Sequence, residues 1–452
     1  MARIFLTLFS VIISSTSFSQ NVTGAWGGVL KVQGMQLRLV FNITKSGSTY
    51  TSTLDSPDQG AKGIPVSSTS FENSTLKIAV AAAGIQYEGT LAPDSTITGT
   101  FKQAGQSFPL NLTKQKAEVK TLRPQEPVKP YPYYEEDVTF ENKTASITLA
   151  GTLTLPKKDG VFPVVILISG SGAQNRNEEL MGHKPFLVLS DYLTRNGIAV
   201  LRFDDRGVGK STGNFQTATS ADFATDVTAA VEYLKTRTEI NKKKIGLIGH
   251  SEGGVIAPMV AANSKDIAFI VLMAGTGVPG DQLFLAQEKL VGRASGLDSV
   301  ALSINERLSR QAYEIVKKTT NDEALKAELT ALLKRNNVSD DEISRSLGRT
   351  LNPWTLYFIR HDPAPALTKV KCPVLALNGS NDLQVPKENL MAIKNALTKG
   401  GNKNVTTKEL AGLNHLFQES KTGSPTEYGT IEQTISPAAL TEIVSWLKLQ
   451  VK

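Results

Sequence analysis

The run Gly249-His250-Ser251-Glu252-Gly253-Gly254 restricts what this chain can fold into more than any other segment. It follows Ile245-Gly246-Leu247-Ile248, an apolar run of the kind a buried parallel strand shows. It precedes Val255-Ile256-Ala257-Pro258-Met259-Val260, which reads as the start of a buried helix. Strand, tight Gly-x-Ser-x-Gly turn and helix predict an elbow that lifts the Ser251 hydroxyl out of a sheet. The glycines have a steric reason. A serine on so sharp a turn has a strained backbone, and larger neighbours would collide with strand and helix. The Glu252 N–H, at the start of the helix, is aimed where an oxyanion would develop.

An elbow serine needs an acid and a histidine that follow it in the chain, each after a later strand. The chain has four histidines, His183, His250, His361 and His415. Only His415 lies in a loop, Gly412 to Phe417, that follows a late strand-like run, Asn404 to Leu410. The acid expected is Asp382, in the loop Asn378-Gly379-Ser380-Asn381-Asp382 after the apolar strand Pro373 to Leu377. It would hold the histidine tautomer and stabilise the imidazolium. The bland alternative for Asp382 is an Asx turn. His250 is expected to pack beneath the turn, His183 to be a surface residue or a lid contact, and His361 to sit in a helix-ending turn. No pair of histidines has zinc spacing, and one cysteine supplies no thiolate set, so no metal or other cofactor is expected.

A second apolar strand, Pro163 to Ile168, ends in Ser169-Gly170-Ser171-Gly172-Ala173-Gln174. Small residues there let the backbone approach a ligand closely. The second oxyanion N–H is expected from Ser171, with Gly172 as the alternative. With these segments in view, the chain resembles the α/β-hydrolase superfamily from about Glu135 to Lys452. It is most similar to secreted bacterial carboxylesterases and serine-aminopeptidase-like hydrolases. Leu149 to Pro156 and Asp204-Asp205-Arg206-Gly207-Val208-Gly209-Lys210-Ser211 carry the rest of the likeness. Members often have His-Gly at the oxyanion strand, where this chain has Ser169-Gly170. A backbone donor survives that change. Gly209-Lys210-Ser211 looks like the end of a phosphate loop, but Asp204 stands where that motif needs glycine. The segment is read as a tight turn braced by Asp205 and Arg206.

The remaining organisation follows from patterning. Arg3, the apolar run Ile4 to Ile13 and Ser17-Phe18-Ser19 read as an export leader over 1–19, which implies a periplasmic or extracellular protein. Gln20, not a cysteine, directly follows it, so no stable membrane anchor is expected. Residues 20–116 alternate with period two around Leu37, Leu39, Phe41 and Ile43. Short strands recur near Tyr50–Leu54, Leu76–Val80, Ile85–Leu91, Ile97–Lys102 and Phe108–Leu112. They predict a small all-β barrel or sandwich. Trp26 among glycines weakly resembles the opening of lipocalin-like barrels. Residues 117–134, rich in proline from Pro124 to Pro132, read as a semi-rigid spacer. The formal net charge of +7 is scattered, without an aromatic-interleaved basic run, so no nucleic-acid partner is expected.

Residues 135–452 are thus expected to form an α/β domain, with a helical cap inserted at about 280–362. Gln282–Gly292, Ser299–Thr319, Asp322–Arg335 and Asp340–Leu347 read as its helices. Pro353 to Phe358 is the most aromatic stretch, so Trp354 and Tyr357 are candidates for lining a pocket or for the cap's own core. The chemistry expected is hydrolysis of small or medium acyl esters by Ser251, Asp382 and His415 through an acyl-enzyme. A peptidase or amidase using the same groups is the alternative. A non-catalytic binding protein is a third reading.

Overall fold

A computed structural model of the chain describes residues 21–32, 35–59, 61–103, 105–115 and 122–452. The leader read over 1–19 lies outside these. The chain divides into two compact units, Met1–Lys120 and Thr121–Lys452.

The first unit is all-β. Its strands are β1 (Gly24–Val32), β2 (Met35–Ser46), β3 (Thr49–Ser56), β4 (Ala61–Pro65), β5 (Ser68–Glu72), β6 (Thr75–Val80), β7 (Ile85–Leu91), β8 (Thr96–Gln103), β9 (Gln106–Pro109) and β10 (Leu112–Lys114). They form one sheet in the order β4-β3-β2-β1-β10-β8-β7-β6-β5, with β9 against β8. Alternation builds the inner face. In β7, Ile85, Tyr87 and Leu91 are buried while Gln86, Glu88 and Thr90 are exposed. Trp26, Phe41, Tyr87 and Phe101 fill the core against it. The indole of Trp26 donates to the Val22 carbonyl at 2.7 Å, which satisfies its polar edge. The sheet curls far enough that Ser52 Oγ of β3 and Thr69 Oγ1 of β5 are 2.6 Å apart. The single strand read over Phe108–Leu112 is two. Proline lacks an N–H to continue a ladder, and β9 ends at Pro109.

The second unit holds a sheet in the order β11-β12-β14-β13-β15-β16-β17-β18. These strands are β11 (Tyr134–Asn142), β12 (Ile147–Leu155), β13 (Phe162–Ile168), β14 (Ala199–Phe203), β15 (Ile240–His250), β16 (Ile267–Met273), β17 (Val374–Gly379) and β18 (Val405–Leu410). β11 and β12 join antiparallel; from β14 onward every pairing is parallel. Helices cover both faces, which is why the strands read as unbroken apolar runs. Val164, Ile166 and Ile168 of β13 enter one core, with Val227 of α2 (Ser220–Thr236) and Ile256 of α3 (Gly253–Ala261). Val165 and Leu167 enter the other, with Leu189 of α1 (Pro185–Arg195) and Ile443 near the C-terminus. The strand order reverses at β13, the place where open α/β sheets bind ligands beyond their carboxyl ends. This is the α/β-hydrolase fold.

Between β16 and β17 the chain leaves the sheet to build a cap of α4 (Gly280–Ala294), α5 (Ser299–Lys318), α6 (Asp322–Arg335), α7 (Asp340–Thr350) and α8 (Pro353–Arg360). Side chains of Asp298, Asn321, Ser339 and Asn352 accept from backbone N–H groups at the starts of α5 to α8. Such caps are worth about 1 kcal/mol each. Val316, Leu325, Leu329, Ile343 and Ile359 give the cap a core of its own.

Side chains in the stretch read as a spacer bond within the second unit. The guanidinium of Arg123 donates to the carbonyls of Met181, Gly182, Gly429 and Ile431 at 3.1, 3.1, 2.9 and 2.8 Å. Gln125 donates to Ile435 O at 2.6 Å, and its oxygen accepts from the Thr434 N–H at 2.6 Å. Prolines disclose a stiff backbone, but nothing about where the side chains between them bond.

Candidate active site

β15 runs directly into the turn. Ser251 has φ +53°, a left-handed conformation that L-residues avoid, and its N–H donates to Met273 O at 2.8 Å. Such a position costs on the order of 1–3 kcal/mol and persists only where surroundings enforce it. They do. A Cβ on Gly249 would overlap the Gly253 backbone, and one on Gly253 would overlap the Ile168 carbonyl of β13.

Asp382 and His415 come from the loops after β17 and β18. His415 Nδ1 lies 2.9 Å from Asp382 Oδ2, and both side chains are buried. Asp382 Oδ1 accepts from the Gln384 and Val385 N–H groups, both at 2.9 Å. The Asx turn and the histidine contact therefore coexist, one on each carboxylate oxygen. With Nδ1–H donating to the carboxylate, a neutral His415 keeps Nε2 as an acceptor.

Ser251, Glu252 and His415 line one cavity of about 110 Å³, together with Gly170 and Ser171. Gly172 is not among its walls, and the Gly170 N–H is committed to Glu178 Oε1 at 2.7 Å. Leu283, Phe284, Trp354, Phe358 and Leu416 supply its apolar side. Trp354 is thus a wall, and its Nε1 donates to Glu252 Oε1 at 2.7 Å. Tyr357 is not. It stacks on His361, with ring centroids 5.4 Å apart, and lines a separate cleft with Asp322 and Pro365. Tyr357 is three positions after Trp354, but α8 turns its ring to a different side from the cavity.

Among the neighbours, Ser220 and Glu178 are not singled out by the sequence, whereas Asp205 and Arg206 read as bracing a turn. Ser220 Oγ donates to the same Glu252 oxygen at 2.6 Å. Burial raises the Glu252 carboxyl to about 7, against these two hydrogen bonds. Asp205 accepts from Ser169 Oγ at 2.8 Å and Gln174 N–H at 3.0 Å, and burial raises it to about 8. Arg206 pairs with Asp226 at 2.7 Å. Glu178, buried and at φ +51°, faces His250 Nδ1 at 2.8 Å, while His250 Nε2 meets the His415 carbonyl at 2.9 Å. The only hint of Glu178 in the sequence is its place just past the Ser169–Gln174 loop. His183 is neither surface nor lid. It is fully buried, with Nδ1 3.0 Å from Thr434 Oγ1 and Nε2 2.9 Å from Tyr428 O. Among the described residues no group of three or more His, Cys, Asp or Glu side chains could hold a metal ion.

Comparison with known proteins bears on the whole unit. Residues 145–414 match the family described as X-Pro dipeptidyl-peptidase (S15 family). The chain is 27% identical over 324 residues to Esterase EstD of Thermotoga maritima, across 70% of this chain and 69% of that protein. Its structure is similar to the Pyrococcus furiosus esterase Pf2001 at 16% identity, covering 75% of this chain and all of that one, with a TM-score of 0.45. It is also similar to the α/β hydrolase GrgF from Penicillium at 18% identity, covering 70% and 99%, with a TM-score of 0.44. The family match covers more than half of the chain and spans the sheet from β12 to the loop beyond β18, so the chain belongs to the S15 peptidase family of α/β hydrolases.

Proposed function

We propose that this protein is an exported serine hydrolase that cleaves carboxylic esters of small to medium acyl groups through an acyl-enzyme. The observation that carries the reading is the strained Ser251 sharing a cavity with His415, whose Nδ1 is 2.9 Å from Asp382. In the reaction His415 Nε2 takes the Ser251 proton as Oγ attacks the ester carbonyl. The N–H groups of Glu252 and Ser171 hold the tetrahedral oxyanion. His415 returns the proton to the departing alcohol, and water activated by the same imidazole releases the acid. Asp382, bonded to Nδ1, orients the ring and steadies the imidazolium. Support for an ester comes from the likeness to Esterase EstD and from the cavity, which at about 110 Å³ suits a short acyl group. Among the described residues Glu178 and Glu252 line it and no Lys or Arg does. Export rests on Arg3 and the apolar run before Ser19.

The S15 family match favours a second reading, release of X-Pro dipeptides by the same groups. A p-nitrophenyl ester series assayed beside X-Pro p-nitroanilides decides between them. Ester turnover that disappears in Ser251→Ala is expected. Anilides cleaved with the higher kcat/KM would overturn the ester reading in favour of the peptidase.

A further inference from the structure

The pair Glu178–His250 takes no chemical part in that mechanism, yet it joins two loops on which the mechanism depends. Glu178 Oε1 accepts the Gly170 N–H of the loop after β13 at 2.7 Å and lies 2.8 Å from His250 Nδ1. His250 Nε2 lies 2.9 Å from the main-chain carbonyl of His415. Hydrogen bonds thus run without a break from the oxyanion loop through the elbow to the histidine loop. The partner at Nε2 is a carbonyl, which only accepts. The partner at Nδ1 is a carboxylate oxygen. A ring between two acceptors satisfies both only by carrying two protons. We propose that His250 is a buried imidazolium, bonded to the Glu178 carboxyl group, that serves as a positioning residue: it holds the His415 loop at a fixed separation from the Gly170-Ser171 loop.

Two observations argue against a purely stabilising role. Glu178 has φ +51°, and its Oε2 is buried with no hydrogen-bond partner among the described residues. Both are costs to folding, of the kind that accumulates where geometry is being imposed. The titratable groups facing the His250 ring are Glu178 on one side and His415 on the other, at 4.9 Å between ring centroids, with Asp382 beyond. Burial opposes a charge on His250, and the Glu178 carboxylate outweighs it, so the proton is held more tightly than by a free imidazole.

The inference rests on the hydrolase reading, and its test separates the two. In the full chain labelled with ¹⁵N at histidine, the resonances lost in His250→Phe should show both ring nitrogens protonated through neutral pH. A deprotonated ring nitrogen overturns the imidazolium whatever the protein hydrolyses. With p-nitrophenyl acetate, Glu178→Gln should lower kcat about a hundredfold while KM hardly moves, because misplaced groups, not lost binding, are the defect. His250→Phe should do the same. The double variant should be no slower than the slower single one, since the pair acts as a unit. Unchanged kcat, a rise confined to KM, or losses that multiply would each overturn the positioning role. Should neither variant fold, the His250 resonances are identified as those that survive in each of His183→Gln, His361→Gln and His415→Gln, and they still decide. Activity surviving in Ser251→Ala would instead overturn the hydrolase mechanism and leave the resonance result standing.

Discussion

At the residue scale, a few groups carry the proposed chemistry and others set their charge. Ser251→Ala should abolish ester hydrolysis while circular dichroism shows a folded chain; more than a few per cent of residual turnover would name another nucleophile. Asp382→Asn leaves both Asx-turn bonds available at Oδ1 but removes the charge beside His415. Turnover should fall by roughly 10⁴, the loss seen for the equivalent change in a well-studied triad, with KM little altered. Glu252 makes a different prediction. Its carboxyl is raised to about 7 in the folded chain, above the ordinary carboxylate value, so the folded state binds the extra proton. That contribution is fully present only below the unfolded value of 4.5 and is lost progressively as pH rises from there through 7. Asp205, at about 8, adds a loss of the same sign at slightly higher pH. Stability should therefore decline as pH rises from the ordinary carboxyl range to about 8, and Glu252→Gln should flatten the part of that decline that ends near 7 in urea titrations. The surroundings of the Glu252 carboxyl were not legible in the sequence. Ser220 and Trp354 reach Glu252 from 32 and 102 positions away, and no local pattern records such a meeting.

At the element scale, the sheet and most cap helices were legible, because burial on two faces leaves continuous apolar runs and N-cap residues mark helix starts. α6 spans Asp322–Arg335, the range its caps and periodicity imply, and α5 differs only at its last residue. α8 shows where such reading stops. Its aromatic residues gave no sign of which ring would meet the cavity, since that depends on how the helix is rotated by its packing. Trp354 and Phe358 stack at 5.2 Å, Phe284 of α4 adds to them at 5.0 Å from Phe358, and Tyr357 turns to the other cleft. Trp354→Phe removes one of two donors from buried Glu252 and shortens a cavity wall. It should cost about 1 kcal/mol in a denaturant titration and move the preferred p-nitrophenyl ester toward longer acyl chains. An unchanged preference would place the acyl group away from α8.

At the scale of the whole molecule, the two units have different logics. The first is read almost directly from alternation, since a one-layer core needs only every second residue. The second is stabilised by contacts between distant segments, and its lower limit in the sequence is not where the first strand begins. A truncated protein starting at Leu122 should keep ester hydrolysis. One starting at Glu135 lacks Arg123 and Gln125 and abandons the carbonyls they satisfy. It should be less stable by on the order of 3 kcal/mol, measured as a lower urea midpoint. Equal midpoints would show that the segment merely lies on the surface.

The Arg123 contacts also set an order in time. Synthesis delivers Arg123 early, yet two of the carbonyls it binds belong to Gly429 and Ile431, some three hundred residues later. As the chain emerges N-terminus first, the β unit has all its strands available and can close by itself, as N-terminal domains commonly do. The α/β unit cannot. Until residues beyond 431 emerge, Arg123 has only half its acceptors and β18 has only just been added to the sheet edge. A nascent chain paused inside the cap would expose an open parallel sheet, so the interval between the making of Arg123 and that of Ile431 is when this protein most needs shelter from aggregation.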